Sequence, residues 1–185
     1  MKKEKTRLSK EQWAVHGLNV LGQKGVGAIR IDELCKHLKV TKGSFYWHFK
    51  NRAKFLDEIL NYWSKIATLD IIERIEQQGG APDAKILQLF DEANSGIVDF
   101  RAEQAIRQWA SSNKQAASAV LNVDERRISF LILQFKALKF STQEAETRAH
   151  LLYSLIISEA VIYRKEAPVK RRQRQRRCFD QVAGL

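Results

Sequence analysis

Helix-breaking residues are rare in this chain, which has only two prolines and nine glycines among its 185 residues. The long stretches between them are rich in Ala, Leu, Glu, Lys and Gln, which are strong helix formers. No alternating polar and apolar pattern of useful length occurs, so β-strands are not expected. The sequence therefore predicts an all-α protein of about nine helices.

The first helix is predicted over residues 9–24. Ser9 is followed three residues later by Gln12, which is the pattern of a capping box. Apolar residues then recur on one helical face at Ala14, Gly17, Leu18 and Leu21. Gly25 and Gly27 are expected to end the helix, since glycine readily takes the left-handed conformation that follows a last helical turn.

Two shorter helices follow, separated by a tight break at Lys39 and Val40. One spans residues 31–38, and the other spans residues 42–48 with Thr41 as its N-cap. Two short helices joined by a turn, with a further helix packed behind them, can present one helix to the major groove of DNA. Residues 31–48 are therefore predicted to be a helix-turn-helix that grips duplex DNA.

An aromatic run fills the second of these short helices. Phe45 and Phe49 lie four residues apart and are expected to face the core. Tyr46, Trp47 and His48 cannot also point inward from a helix of two turns. We therefore expect these three side chains to lie toward the walls of the groove.

Basic residues gather at the two ends of the chain. Residues 1–54 carry 13 basic and 4 acidic residues, a net charge of +9, whereas residues 55–169 carry −3 and residues 170–185 carry +5. A basic module beside a near-neutral body is typical of a nucleic-acid-binding protein. The tract Lys170–Arg177 is interpreted as a solvated face, with auxiliary DNA contact as the minority interpretation.

Asn51 is placed to cap a long fourth helix over residues 51–78. The sequence Gly-Gly-Ala-Pro at 79–82 is the strongest punctuation in the chain and predicts a domain boundary. A DNA-binding domain at residues 1–54, joined by the fourth helix, is thus expected to precede a second helical domain at residues 79–185. The second domain is predicted to contain helices at about 83–98, 101–112, 114–139, 142–166 and 169–182.

The segment RIDELCKHLKVTKGSFYWHFKNRAKFLDEIL resembles the DNA-binding signature of the tetracycline-repressor (TetR) family, and the similarity covers about residues 8–60. The resemblance implies a homodimer of all-helical subunits whose third helix enters the major groove. It also implies that residues 79–185 form a helical dimerisation and ligand-binding domain. Base-reading positions then fall on Thr41, Lys42, Gly43 and Ser44. Contacts at the groove edge fall on Tyr46, Trp47 and His48, with a phosphate contact at Lys54.

Two positions depart from the family pattern. Lys39 stands where the family usually has glycine, so a left-handed conformation there carries a small penalty. Arg30 stands where many members have a threonine cap, and its guanidinium is expected to offer a further contact to a phosphate. Both departures leave the operator sequence open.

The body is also similar to that of one large subgroup of TetR-like regulators. The helix over residues 142–166 is apolar on more than one face, so one of its packing partners is expected from a second subunit. Ser154 and Ser158 are small enough for close helix approach. Burial of this helix within its own subunit is the alternative.

The resemblance further implies an apolar small-molecule effector held in the body, since such pockets are apolar with few polar groups. The predicted lining residues are Trp63, Phe90, Asn94, Phe100, Trp109, Phe130, His150 and Tyr153. Packing alone is the competing explanation for each buried aromatic.

The predicted function is that of a cytoplasmic, nucleoid-associated transcriptional repressor. It is expected to bind a palindromic operator in double-stranded DNA as a homodimer and to be released by a small molecule. The first alternative is a helical interaction module without sequence-specific DNA binding. No membrane association is expected, because no segment approaches the roughly 20 apolar residues of a membrane span and no signal peptide is recognised.

The second alternative is an enzyme. Its candidates are His16, His37, His48 and His150 together with Cys35 or Cys178. None of them lies in a known nucleophile or metal-binding motif, so no catalytic residue, metal or cofactor is predicted.

Overall fold

The computed structural model describes residues 8–95, 99–162 and 165–184. The all-α prediction is confirmed, because these residues contain helices and turns but no β-strand. In the described part of the chain, no helix is both long and apolar enough to cross a bilayer. The helices are α1 (Lys10–Lys24), α2 (Ile31–His37), α3 (Lys42–His48), α4 (Arg52–Ser64), α5 (Asp70–Gln78), α6 (Pro82–Asn94), α7 (Phe100–Ala110), α8 (Lys114–Ala137), α9 (Thr142–Val161) and α10 (Pro168–Ala183).

The chain forms two compact units. The first contains the chain up to Lys65 together with Arg101–Val120, and the second contains Ile66–Phe100 and Leu121–Leu185. Most of α7 and the start of α8 thus belong with the N-terminal helices, although they lie far along the sequence. The predicted functional division at residue 79 stays a prediction.

The start and end of α1 follow the sequence prediction. The Ser9 hydroxyl accepts from the Gln12 N–H at 3.1 Å, and the Gln12 side-chain oxygen accepts from the Ser9 N–H at 2.7 Å. Gly25 ends the helix with φ +75°, and its N–H donates to the Leu21 carbonyl at 2.8 Å. The predicted capping box and the glycine stop are both confirmed.

The turn between α2 and α3 forms with a lysine in the left-handed position. Lys39 has φ +55°, and the following Val40 N–H donates to the Cys35 carbonyl at 3.0 Å. The same arrangement recurs between α8 and α9, where Lys139 has φ +69°. Each left-handed lysine costs about 1–2 kcal/mol relative to a relaxed conformation. The departure from glycine at Lys39 therefore strains this turn without preventing it.

The predicted continuous fourth helix is wrong in one respect: a π-helical turn, Lys65–Leu69, separates α4 from α5. The cause lies in the spacing of the buried residues, which recur every four positions. A step of four advances about 40° around an α-helix, because one turn takes 3.6 residues. A π turn accommodates an extra residue and offsets this drift. The buried residues at this spacing are Phe55, Ile59, Trp63, Ala67, Ile71 and Ile75.

Several predicted helix ends need correction. The helix predicted to reach residue 166 ends at Val161, because Ile162 is extended. The helix predicted to reach residue 98 ends at Asn94, and residues 96–98 lie outside the described part of the chain. The helix predicted at 169–182 spans Pro168–Ala183. Proline is favoured in the first helical turn, because an N–H at that position would have no partner within the helix.

The second compact unit has its own hydrophobic core, formed by residues of α5, α6, α8, α9 and α10. Its centre consists of fully buried side chains: Ile75, Ile86, Leu131, Phe135 and Leu152. The C-terminal end of α10 is held by Arg148, which donates to the Ala183 carbonyl at 2.8 Å and to the Val182 carbonyl at 3.2 Å. This core fixes α9 and α10 against each other.

Candidate nucleic-acid interface

Helix α3 is anchored by a cluster of four aromatic rings. Phe45 is fully buried, and its ring meets Trp13 edge-on at 5.5 Å and Phe55 edge-on at 5.4 Å between centroids. Phe49 lies 5.2 Å from Phe45 and 4.9 Å from Phe55. The prediction that Phe45 and Phe49 face the core is confirmed. Edge-to-face packing restricts ring orientation, so α3 is held in a defined position.

The opposite side of α3 carries two large exposed aromatic side chains. Tyr46 is 55% exposed and Trp47 is 68% exposed. Large aromatic side chains are usually well buried. Two exposed aromatic residues in succession on a short helix therefore indicate a surface that binds another molecule. Both side chains point outward, as the sequence predicts.

His48, the third member of this predicted set, has a partner within the protein. The ring is partly buried, and Nε2 lies 2.7 Å from the Leu8 carbonyl oxygen. This bond ties the end of α3 to the segment before α1. The assignment of His48 to DNA stays a prediction, and the structure adds a positioning contact that the sequence pattern did not indicate.

The first turn of α3 is open to solvent. Thr41, Lys42 and Gly43 are exposed, and Ser44 is partly buried. The Ser44 N–H donates to the Thr41 hydroxyl at 3.4 Å, so Thr41 is the N-cap, as predicted. A side chain added at Gly43 would meet only the Thr41 hydroxyl within 4 Å, at an ordinary 3.7 Å. Packing within the chain does not require glycine there, which leaves this surface free for close approach by a partner.

Two lysines predicted to contact DNA each pair with a carboxylate. Lys42 Nζ lies 2.8 Å from Asp32 Oδ1, and this hydrogen bond raises the pKa of Lys42 above its usual value. Lys54 Nζ lies 3.0 Å from Asp57, one turn further along α4. Lys42, Asp32 and Lys54 are exposed and Asp57 is partly exposed, so each lysine can exchange its carboxylate for another anion at modest cost.

Cys35 lies behind the turn between α2 and α3. It is buried, and its thiol is 3.8 Å from the Thr41 carbonyl oxygen. Burial raises the pKa of the thiol, with a smaller contribution from the charge of Asp32. A buried thiol with a raised pKa stays protonated and behaves as a small hydrophobic residue.

The sequence pattern did not reveal the role of Arg52. Its Nε donates to the Ile29 carbonyl at 2.6 Å, and its terminal nitrogen donates to the Val26 carbonyl at 2.8 Å. Arg52 therefore fixes the start of α4 to the loop before α2. Arg30 is exposed at the N-cap of α2 and makes no side-chain capping bond.

The region that contains these elements matches a known family. Residues 16–59 match the family model described as bacterial regulatory proteins, tetR family. This part of the chain thus carries the DNA-binding region of the TetR family. The transcriptional regulator AcuR of Cereibacter sphaeroides is 46% identical over 39 residues, which are 21% of this chain and 18% of AcuR. The chain spans only 18–26% of the length of the curated relatives it matches.

Solved structures extend the likeness to nearly the whole chain. A transcriptional regulator from Rhodococcus sp. Rha1 has a TM-score of 0.73, 19% identity, and coverage of 96% of this chain and 95% of that one. AibR, solved in complex with isovaleryl coenzyme A and operator DNA, has a TM-score of 0.69 and 13% identity, and the match covers 94% and 97% of the two chains. At these identities the likeness establishes the fold. The chain thus shares the all-helical fold of these regulators, and residues 16–59 match the helix-turn-helix DNA-binding region of the TetR family.

The residues predicted to line a TetR-type ligand pocket are divided between the two compact units. Trp63 and Trp109 belong to the first unit. Trp63 is fully buried, and its indole N–H donates to the buried carboxylate of Glu103 at 3.2 Å. Trp109 is also buried. These two residues therefore lie in the interior of the unit that contains α3.

The other predicted pocket residues belong to the second unit, and their role in ligand binding stays a prediction. Phe90 packs on Phe179 at 4.8 Å, and Asn94 accepts from the Gln175 amide at 2.7 Å. His150 is exposed on α9. Phe130 lines an open groove of about 740 Å³. Phe100 is partly buried at the start of α7. Tyr153 belongs to a polar network.

That polar network surrounds Arg127, a residue that lies in no recognisable sequence motif. Arg127 donates to the Ala67 carbonyl at 3.0 Å, to the Thr68 hydroxyl at 3.1 Å and to the Tyr153 hydroxyl at 3.2 Å. Tyr153 in turn donates to Asp124. Both Ala67 and Thr68 belong to the π turn, so the guanidinium stabilises this unusual segment from α8. Polar groups grouped beside an apolar core are candidates for ligand contact.

Proposed function

We propose that the protein is a homodimeric repressor that binds a palindromic operator and is released by a small apolar effector. The observation that carries this proposal is α3, a helix buried on one side by four aromatic rings and open on the other at Thr41, Lys42, Tyr46 and Trp47. This helix is short enough to enter a major groove while the cluster behind it holds its direction.

Within this proposal, the exposed residues of α3 divide into two groups. Thr41, Lys42, Gly43 and Ser44 at its first turn read base edges. Thr41 and Ser44 offer small hydroxyls, Lys42 offers a flexible cation, and Gly43 adds no bulk. Residues along the rest of the surface contact the groove walls and phosphates: Arg30, Tyr46, Trp47, His48 and Lys54. A cytoplasmic, nucleoid-associated location follows from chromosomal DNA as the target.

An exposed face of α9 supports a dimer. Leu151, Ser154, Ser158 and Val161 follow helical spacing, and Leu151 is half exposed. The Ser158 hydroxyl donates to the Leu155 carbonyl of its own helix at 2.7 Å, so a partner that covers this face leaves that hydroxyl bonded. Small and apolar residues on one helix face allow close approach by an identical helix. On a palindromic operator, the two α3 helices of a dimer would lie one helical turn of DNA apart, about 34–36 Å.

Leu151→Glu should convert the dimer into a monomer, because a two-fold interface brings the two carboxylates close together without partners. Sedimentation velocity measures the change, and operator affinity should fall with it. Leu133→Glu is the matched control, since Leu133 is also exposed, at 62%, but lies on α8. If both variants sediment like the parent protein, the α9 interface is excluded.

An effector site is proposed in the second compact unit. Arg127, Thr68 and Tyr153 supply the few polar groups that orient a ligand beside an apolar core. AibR, which shares the fold, was solved with an acyl-coenzyme A ligand and operator DNA. The effector lowers DNA affinity only by as much as it prefers the arrangement of subunits that does not bind.

Lys54→Ala should weaken binding to every duplex by a similar factor. Each lost phosphate contact reduces the slope of log affinity against log salt by about 0.9. Lys42→Ala should instead change the preference among operators, because a base contact is lost. Fluorescence anisotropy against a set of duplexes at several salt concentrations separates the two results. Lys136→Ala, an exposed lysine on α8, controls for net charge.

Selection of operators from random duplex DNA tests the whole proposal. The expected product is an inverted repeat with two half-sites, bound by one dimer. A single unrepeated site would contradict the dimer, and failure to enrich any sequence at moderate salt would favour a helical interaction module without specific DNA binding.

A further inference from the structure

The ion pair between Asp32 and Lys42 joins the two helices of the helix-turn-helix. Asp32 lies in the first turn of α2 and Lys42 opens α3, with 2.8 Å between Oδ1 and Nζ. Both side chains are more than 60% exposed, so the pair lies on the surface that includes the start of α3. The pair thus fixes the direction of a lysine that the proposed function assigns to base reading.

Other cations of this domain differ from Lys42. Arg30, Lys36, Lys39 and Lys50 are exposed, and no ion pair involves them within residues 8–95. Lys54 is paired, but with Asp57 of its own helix. Only exposed, unpaired cations can supply sequence-independent attraction to phosphates without first giving up a carboxylate.

We infer that Asp32 is a specificity-determining residue, an inference that rests on the proposed function. A phosphate offers Lys42 little more than the carboxylate it already has. A guanine offers two acceptors, O6 and N7, on one base edge and is a preferred partner of lysine in the major groove. Asp32 therefore discourages contacts of Lys42 with phosphates and with wrong bases, and it permits the contact with guanine. Asp32 thus increases discrimination between operator sequences by competing with DNA for Lys42, and it does not add affinity for the correct operator.

The test compares Asp32→Asn with Glu33→Gln. Both variants remove one negative charge from an exposed residue of the same helical turn, but Glu33 has no ion pair in residues 8–95. Affinity is measured by anisotropy for the selected operator and for a duplex in which the guanine opposite Lys42 is replaced by adenine in both half-sites. Thermal unfolding of each variant checks that the fold is retained.

Glu33→Gln should tighten binding to both duplexes equally. Asp32→Asn should tighten binding to the altered duplex more, so that the ratio of the two affinities falls by about two- to fivefold, the range expected for an exposed ion pair. In a Lys42→Ala background, Asp32→Asn should have the same effect as Glu33→Gln, because the pair no longer exists.

Equal ratios for Asp32→Asn and Glu33→Gln in the parent background would overturn the inference and leave the proposed function standing. A persistent loss of discrimination in the Lys42→Ala background would also overturn it, because Asp32 would then act without Lys42. If the parent protein selects no operator, the proposed function fails, and the inference fails with it.

Discussion

Phe45→Ala should remove most of the stability of the unit that contains α3. Phe45 is fully buried and touches Trp13, Phe49 and Phe55, so truncation leaves a cavity among three aromatic rings. Replacement of a buried phenylalanine by alanine costs about 3–5 kcal/mol, which is a large part of the stability of an ordinary domain. Urea denaturation followed by circular dichroism should show a large fall in the midpoint, and DNA binding should be lost at temperatures where the parent binds.

Tyr46→Ala is the matched control for this prediction. The neighbouring ring is 55% exposed and meets Phe45 edge-on at 5.4 Å. Its removal should cost about 1 kcal/mol, from one aromatic contact, while weakening DNA binding directly. Similar losses of stability in the two variants would contradict the assignment of Phe45 to the core and Tyr46 to the surface.

Glu103→Ala should destabilise the same unit by about 3 kcal/mol. The Glu103 carboxylate is 2% exposed and accepts from the Trp63 indole at 3.2 Å and from Arg107 Nε at 2.9 Å. Without it, the fully buried indole N–H has no acceptor, and the partly buried Arg107 guanidinium loses its ion pair with Glu103. The expected result is a lower denaturation midpoint with changed tryptophan fluorescence from Trp63.

Glu103→Gln separates the hydrogen bond from the charge. Glutamine keeps an oxygen for the Trp63 indole but no longer neutralises Arg107, so about half of the loss should remain. Gln104→Ala, an exposed neighbour on α7, should be near neutral. A harmless Glu103→Ala variant would mean that water replaces the carboxylate and that α7 is not held to α4 by this contact.

The elements that local sequence rules describe were predictable. Ser9, Gly25, Thr41 and Asn51 take the capping or terminating positions that their side chains favour. The inward direction of Phe45 followed from helical geometry alone. Each of these depends on residues within about one turn of one another, which is the range over which periodicity and capping rules operate.

Features that depend on distant residues were not predictable. Asp32 meets Lys42, and Glu103 meets Trp63, only because separate helices pack together. Periodicity along one helix contains no information about such crossings. The π turn lies between these two cases. Apolar residues recur every four positions from Phe55 to Ile75, and this spacing is visible in the sequence. It indicates an interruption, whereas the prediction was one continuous helix.

The exposure of Trp47 gives the protein a built-in optical probe. Of the four tryptophans, Trp13 and Trp63 are fully buried and Trp109 is nearly so, whereas Trp47 is 68% exposed on α3. A soluble collisional quencher such as iodide therefore reaches one indole and spares the other three. Emission that iodide can quench in the free protein reports the solvent access of α3 alone, and shielding of that emission by an added duplex would follow DNA engagement without any attached dye.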